Sequence, residues 1–387
     1  METKRKVLIL YVYDNHHELI ETIANLMRAK GFVLDAICVS SYRYTKESHC
    51  RWPLAIYIAS FFIYTLRIPK SIGFFKKLLD SSFFKRMIDD YEIIDFQAFP
   101  VEQCELAEYC ISMGKEYVIG FWGSDALRAD NAVLTLMKES LAHAKKIRLN
   151  NQIKEKISSF YLNQYGMTFE DKYTGAVSGV TNGNKDIFVL DSLTEKEVNE
   201  KKGLFCPISS DKLTVTVGYN GNPRQNQEKV LRVLNSLSAE IKNRVHLVLP
   251  MTYGSNASHI SLIKNLAETA GFSYTILDSF LTNKEVCVLR KITNIFITLQ
   301  ETDGFAGSVR SHLYCQNVCL IADWLDYPID DNGVYYLKVN WDNLYDTFSD
   351  IVSHYGDYHL KCANNKDKMT PFMSWDRYID MLCEIYK

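Results

Sequence analysis

From residue 211 onward, short apolar runs and amphipathic stretches follow one another with hardly a break, and this alternation constrains the fold more than any other feature. KLTVTVGYN (212–220) reads as a strand and QEKVLRVLNSLSAEI (227–241) as a helix. RVHLVLPM (244–251) is again extended, SHISLIKNLAETAG (258–271) is a helix ending in glycine, and FSYTIL (272–277) is extended. NKEVCVLRK (283–291), helical, and ITNIFITL (292–299), extended, carry the order towards a last apolar run, VCLIAD (318–323). The first half opens in the same way, with VLILYVY (7–13), the helix ELIETIANLMRAKG (18–31) and the strand FVLDAICVS (32–40). Leu19, Ile23, Leu26 and Met27 fall on one face of that helix. EIIDFQAF (92–99), YVIGFW (117–122) and KKIRLN (145–150) are further strands. Parallel strands need a crossover of about a dozen residues, usually a helix, so repeated units of this kind imply parallel sheets. The expected fold class is α/β, with two tandem doubly wound, Rossmann-like domains facing a cleft.

A chain of 387 residues exceeds what one compact core usually accommodates. The expected division is an N-terminal domain over 1–205, a C-terminal domain over 206–368, and a closing segment over 369–387. In that segment, MTPFMSWDRYIDMLCEIYK, Pro371 stands near a helix start. Phe372, Trp375, Ile379 and Leu382 recur at three- and four-residue spacing, which predicts an amphipathic helix packing across the domains. Residues 151–210 are harder to parse and are expected to carry the junction.

Composition narrows the function classes. A formal charge of −2 gives no global electrostatic case for nucleic-acid binding. The 10 cysteines are scattered without a C-x-x-C, as reduced core residues of a cytosolic protein are. No D-x-D stands at a strand end and no histidine pair has helical metal-ligand spacing, so no metal is expected. The basic start METKRK precedes an apolar run too short for a signal peptide, and that run reads as the first strand.

Two segments of the first half bear on membranes. RWPLAIYIASFFIYTLR (51–67) is uncharged between Arg51 and Arg67, too short for the span of about 20 residues a bilayer needs, and reads as a buried helix. SIGFFKKLLDSSFFKRMIDDY (71–91) carries two clusters, Phe74-Phe75-Lys76-Lys77 and Phe83-Phe84-Lys85-Arg86. Exposed rings entering the acyl boundary beside cations at headgroups would make this a membrane-surface face. The competing reading is an aromatic packing surface with a solvated basic edge.

Four places offer chemistry. In VTVGYNGNPRQNQEKVL (215–231) a strand runs through a Gly/Asn turn into a helix, with Arg224 near its start. Helix N-terminal amides and a forked guanidinium suit phosphate. Many such turns are Gly-rich for backbone reasons alone, and this one matches neither a P-loop nor a G-x-G-x-x-G fingerprint. QETDGFAGSVRSHLYCQ (300–316) repeats the strand–turn–helix arrangement, with Thr302, Gly307 and Ser308 as candidate diphosphate contacts. Tyr253 and Phe280, on loops after neighbouring strands, are candidates to stack on a nucleobase or, alternatively, to pack in the core. In YVIGFWGSDALR (117–128), Asp125 is either a helix cap or a general base, and His16 and His17 after the first strand compete for the catalytic role.

Together these residues resemble GT-B glycosyltransferases. More narrowly, FWGSDALR (121–128), VGYNGNPRQNQ (217–227), VLPMTYG (248–254) and QETDGFAGS…ADWLDY (300–327) are similar to the TDP-N-acetylfucosamine:lipid II transferase type. The resemblance implies metal-independent, inverting transfer of a sugar from a nucleoside-diphosphate donor to a polyprenyl-diphosphate-linked acceptor. That chemistry belongs to bacterial capsule or O-antigen synthesis on the inner face of the cytoplasmic membrane. It assigns the donor to Gly221, Arg224, Asn226, Thr302, Gly307 and Ser308, and gives the first domain the acceptor face and Asp125. Asp303 joins the donor candidates, and His17 the catalytic ones, from the residues alone. One departure stands out. Many GT-B enzymes carry Glu-x-Leu-x-x-Gly on the helix after the last phosphate turn, and SHLYCQ (311–316) puts Ser311 and Gln316 at those two places. Either Glu301 or Asp303 substitutes, or donor recognition differs; the alternative to an enzyme is a non-catalytic glycosyltransferase-like binding or regulatory subunit.

Overall fold

The strand β1 (Lys6–Tyr11) is buried from Val7 onward on both faces, as the inner strand of a parallel sheet must be. β2 (Val33–Cys38) pairs with it in parallel, Val7 opposite Leu34, and β4 (Ile93–Gln97) pairs on its other side, Val7 opposite Ile93. The computed structural model describes residues 5–12, 17–39, 44–45, 82–174, 183–207 and 211–387. The first sheet has the order β3-β2-β1-β4-β5-β6-β7. Here β3 is the short antiparallel pair Tyr44–Thr45, and β5 (Glu116–Gly120), β6 (Lys146–Arg148) and β7 (Tyr173–Thr174) are parallel. The helix His17–Ala29 buries Ile20, Ile23, Ala24 and Met27. The core runs through Leu8, Leu10, Ile94, Phe96 and Tyr117 to Ile153 and Tyr161 on the helix Asn151–Tyr165.

The second sheet has the order β10-β9-β8-β11-β12-β13, every pairing parallel. Its strands are β8 (Leu213–Val217), β9 (Val245–Pro250), β10 (Ser273–Leu277), β11 (Ile295–Thr298), β12 (Val318–Ala322) and β13 (Leu337–Val339). The chain moves outward from β8 through β9 to β10, returns to β11 on the other side, and moves outward again to β13. The order therefore reverses between β8 and β11, the place where open α/β sheets bind ligands at their carboxyl ends.

The chain divides into one unit of Met1–Asn182 with Trp375–Lys387 and a second of Gly183–Ser374. The boundary thus falls earlier than the expected 205/206, because 183–207 packs on the second unit. Phe205 is buried with Val248, Val288 and Leu289. The helices Glu195–Lys202 and Asn283–Ile292 each open on a capping box, Thr194/Glu197 and Thr282/Glu285. They then exchange lysines, Lys284 to Glu197 at 2.6 Å and Lys201 to Glu285 at 2.9 Å.

The closing segment also differs from the single helix expected over 369–387. Ser374 is extended (ψ 126°) and separates Asn365–Met373, which contains Pro371, from Trp375–Tyr386. The first of these helices packs on the second unit, with Arg310 Nη1 donating to the Phe372 carbonyl at 2.9 Å. The second belongs to the first unit and is held by a buried charge network there. Arg148 and Asp95 form an ion pair, Arg148 Nη1 donates to Tyr378 at 2.9 Å, and Tyr386 donates to Asp95. A Cβ on Gly120 would stand 2.7 Å from Arg148 Nη2, so the guanidinium fits only over a glycine.

The membrane-face reading is corrected at one position. In the helix Ser82–Asp89, Phe84 lies in the core with Met87 and Ile88 rather than on an exposed face. Amphipathic spacing turns it inward, while Lys85 pairs with Glu105 at 3.2 Å and Arg86 is exposed. Phe74, Phe75, Lys76, Lys77, the Phe83 side chain, His16 and residues 51–67 lie outside what is described. No described helix is long and apolar enough to cross a membrane.

Candidate functional site

At the switch point of the second sheet, two sequence-distant turns interlock. The turn after β8 begins with Gly218, whose N–H donates to Ile297 of β11 at 2.8 Å. Asn side chains brace it from within. Asn220 Oδ1 accepts from the Asn222 amide at 2.9 Å, and Asn222 Oδ1 accepts from the Arg224 amide at 3.0 Å. Gly221 is required by contact: a Cβ there would lie 2.5 Å from Ser255 Cβ and 3.1 Å from Met251 Cα. Its amide donates to the Tyr253 carbonyl at 2.8 Å, which fixes the loop after β9 against the turn.

The turn after β11 is tied to the first at several points. Asn226 Nδ2 donates to the Leu299 carbonyl at 2.7 Å, and Gln225 Nε2 to Gln300 Oε1 at 2.6 Å. The Glu301 amide donates to the Arg224 carbonyl at 3.1 Å, and the exposed Arg224–Glu301 side chains stand 3.7 Å apart. Beneath them Asp303 is buried, accepting from Tyr327 at 2.5 Å, from the Ala306 amide at 3.1 Å and from Tyr219 at 3.4 Å. Burial pushes its carboxyl above the usual range, and these donors oppose the shift. The helix Gly307–Tyr314 follows, and its N-cap, Ala306, has no side-chain acceptor to offer the first-turn amides. A helix start left open at a switch point has the donors and the dipole direction for an anion.

Two aromatics face outward beside this turn. Tyr253 and Phe280 are 48% and 81% exposed and lie parallel, ring centroids 6.2 Å apart at 6°. The core-packing reading fails for both, and stacking on a planar ligand is within their geometry. On the β12 side, a pocket of about 510 Å³ adjoins Asn226 and Glu301 and includes Trp324 and Trp341. Trp324 Nε1 donates to the Gln300 carbonyl at 2.9 Å. The sequence reading missed these tryptophans, although Trp324 stands two residues past the end of β12. A larger groove of about 820 Å³ opens at Leu213 and Arg244, the amino ends of β8 and β9, away from the turns.

The fold is that of GT-B glycosyltransferases. A glycosyltransferase from Rickettsia africae matches at a TM-score of 0.71 and 14% identity, covering 99% of this chain and 98% of that one. HepE of Anabaena in complex with UDP matches at 0.69 and 10% identity, covering 98% of each chain. The UDP-GlcNAc 2-epimerase of Neisseria meningitidis matches at 0.59 and 9% identity, covering 98% of this chain and 100% of its own. No family model and no curated protein sequence matches the chain.

Within GT-B geometry the departing helix becomes intelligible. Gln316, at the place of the pattern's glycine, takes φ +63°, the left-handed value that glycine usually supplies. Ser311 is fully buried, donates to Asp186 Oδ2 at 2.7 Å and accepts from Asn184 Nδ2 at 2.9 Å. A carboxylate does stand beside position 311, but it comes from the chain near 186. Neither substitute proposed from sequence is an unencumbered grip: Asp303 is engaged and buried, and Glu301 pairs with Arg224. Asn226, which also lines the pocket of about 510 Å³, has its Nδ2 engaged in tying the two turns together. Thr302 and Ser308 are half-buried at the turn.

In the first unit, Asp125 is the second residue of a one-turn helix, Ser124–Leu127, with its carboxylate turned back on the chain. It accepts from the amides of Phe99 (3.0 Å), Trp122 (3.1 Å), Gly123 (2.8 Å) and Ala126 (3.2 Å). Burial pushes its pKa up, while the amides of Trp122, Gly123, Phe99 and Asp125 itself pull it down. Standing inside the helix and not at its N-cap position, the carboxylate acts as a structural cap on loop amides: it fastens the loop after β4 to the loop after β5. His17 opens its helix at the carboxyl end of β1, with Nδ1 2.5 Å from the Tyr11 hydroxyl. Among the described residues, no group of three His, Cys, Asp or Glu side chains is placed to hold a metal.

Proposed function

We propose that this protein is a glycosyltransferase that moves a sugar from a nucleoside-diphosphate donor to a hydroxyl of a polyprenyl-diphosphate-linked glycan. The observation that carries the reading is the interlocked pair of turns at the second sheet's switch point, with the uncapped start of helix Gly307–Tyr314 between them. In this reading the helix start, Ser308 and Arg224 receive the diphosphate, and Tyr253 with Phe280 receives the base. The leaving diphosphate is stabilised by these fixed donors without a metal. His17, held at Nδ1 by Tyr11, is the base for the acceptor hydroxyl, and in-line attack inverts the anomeric centre. The fold similarity to a UDP-bound GT-B protein supports donor binding, and the resemblance of the quoted motifs supports the lipid-linked acceptor. Lys85 and Arg86, together with the 74–77 cluster, are the basic groups that would meet anionic headgroups at the inner face of the cytoplasmic membrane.

Thermal shift of the purified chain against UDP-, GDP- and TDP-sugars, with and without EDTA, tests the donor. A shift is expected with at least one of them, unchanged by EDTA and lost in Arg224→Ala. No shift with any would refute donor binding, and a shift lost on chelation would refute the metal-free mechanism. The burial of Ser311 against Asp186 favours a second reading, a subunit that binds a nucleotide sugar or glycan without turnover. Transfer to a lipid-linked acceptor in membrane extracts decides between the two.

A further inference from the structure

Behind the open helix start sits a guanidinium that lacks an ion-pair partner among the described residues. Arg290, on the helix Asn283–Ile292, is only 4% exposed, and its Nε has no hydrogen-bond partner. Nη2 donates to Ser308 Oγ at 2.8 Å and Nη1 to His312 Nε2 at 2.9 Å. His312 offers no counter-charge. Its ring lies on Phe296 at 3.9 Å between centroids, and burial, with Arg290 beside it, holds its pKa well below the ordinary value. Asp186 makes its side-chain bond to Ser311 and acts on Arg290 only through space, without a contact ion pair. A buried cation without an ion pair is costly, and buried groups left unsatisfied call for an explanation.

We propose that Arg290 is the buried counter-charge of the donor's diphosphate and acts through the Ser308 hydroxyl. The inference rests on the donor reading above and adds a positioning residue to it. Ser308 accepts the guanidinium hydrogen bond with one lone pair, which leaves its own proton to donate. That hydroxyl sits in the first turn of the helix, half-buried, beside the amides of Gly307 and Ser308. Donation from Arg290 polarises the hydroxyl and so strengthens its bond to an anion in front of it. The positive charge itself, in a medium of low dielectric, acts on the same anion over a longer range than it would in water. A lysine would keep the charge but could not span Ser308 and His312 as the planar fork does.

The test is calorimetric titration of the full chain with inorganic pyrophosphate, with the nucleoside diphosphate that the donor panel identifies, and with the corresponding nucleoside. Ser308→Ala and Arg290→Met are each expected to weaken pyrophosphate and the diphosphate by about tenfold or more, equivalent to about 1.4 kcal/mol or more. Nucleoside binding should stay as in wild type. The double substitution should weaken binding no further than the stronger single one. Ser308→Thr should restore affinity, and Arg290→Lys should restore only part of it. Should Arg290→Met fail to fold, Ser308→Ala against Ser308→Thr still decides. Wild-type affinity in Ser308→Ala, additive losses in the double variant, or no pyrophosphate binding by wild type would each overturn the proposal. Donor binding untouched by these substitutions would leave the donor reading standing and this inference refuted. Pyrophosphate binding lost in Ser308→Ala, with no nucleotide bound at all, would confirm the anion site and refute the donor reading.

Discussion

Asp125 stands where a catalytic carboxylate was expected, and its environment predicts that replacing it will be felt as lost stability before lost chemistry. Among the described residues, the amides of Phe99 and Gly123 have the Asp125 carboxylate as their only acceptor. The Ala126 amide retains the Gly123 carbonyl at 3.1 Å as a second acceptor. Asp125→Ala therefore leaves at least two buried amides unpaired, at about 1–3 kcal/mol each, so the loss is about 2–6 kcal/mol. A unit of this size loses about 2–4 °C of Tm per kcal/mol, so a loss near 4 kcal/mol lowers Tm by roughly 8–16 °C. Asp125→Asn keeps one carbonyl for Gly123 and Ala126 but turns an NH2 group towards the Phe99 amide, and should cost about 1–3 kcal/mol. The assay is thermal unfolding followed by circular dichroism, run beside transfer activity at a temperature where both variants remain folded. A variant that melts with wild type while transfer is abolished would refute the cap and restore Asp125 as a general base.

Gly221→Ala places a methyl group 2.5 Å from Ser255 Cβ and should abolish the nucleotide-sugar thermal shift while the circular-dichroism spectrum stays folded; a retained shift would show that the turn is not the donor site. Arg148→Met leaves Asp95 buried without its ion pair and should cost about 3–5 kcal/mol in urea unfolding, and an unchanged midpoint would argue against the network as the anchor of helix Trp375–Tyr386. Tyr253→Ala or Phe280→Ala should weaken nucleotide binding, by about 1–3 kcal/mol if base stacking is the contact, without changing pyrophosphate affinity. Glu197 and Glu285 are both held at about 2, first by the partner lysine and then by the cap donors. Their folded pKa lies below the ordinary 4.5, so this contribution is present above about pH 4.5 and is lost as pH falls towards 2. NMR titration of the two carboxyl groups should show both midpoints near 2, and midpoints near 4.5 would refute the exchange of lysines.

The alternation of apolar runs made the fold legible, because parallel strands buried on both faces write themselves as unbroken Val/Ile/Leu segments. β8, β9, β11 and β12 all fall within the runs read from sequence. β3, β7 and β13 were missed, being two or three residues long and without a pattern of their own. The two turns at the switch point were legible as well, since Gly, Asn and Pro mark backbone requirements directly. What was hidden is whatever depends on which side chain faces which. Asp125 as cap or base, Phe84 as core or membrane anchor, and Asn226 as tie or ligand contact are the same letters under either reading. Arg290 carried no signal at all, because a charged residue near the end of an amphipathic helix reads as solvated.

The residue at position 311 of the helix Gly307–Tyr314 bears on what the proposed donor site would recognise. A glutamate at position 311 would bring a negative charge to a helix whose start is proposed to receive a diphosphate. Serine brings none, and its hydroxyl is committed to Asp186. Arg290 meanwhile places a cation under Ser308, and Arg310, also buried, runs to the Phe372 carbonyl. Asp186, engaged by Ser311 and acting on both guanidiniums, is balanced within the protein, so diphosphate contacts should carry more of the donor affinity here than ribose or sugar hydroxyls do. Affinities for a nucleoside diphosphate and for its sugar conjugate should then differ by less than about tenfold, or 1.4 kcal/mol. A conjugate that binds a hundredfold tighter than the bare diphosphate would show that the sugar is gripped after all, by a carboxylate other than residue 311.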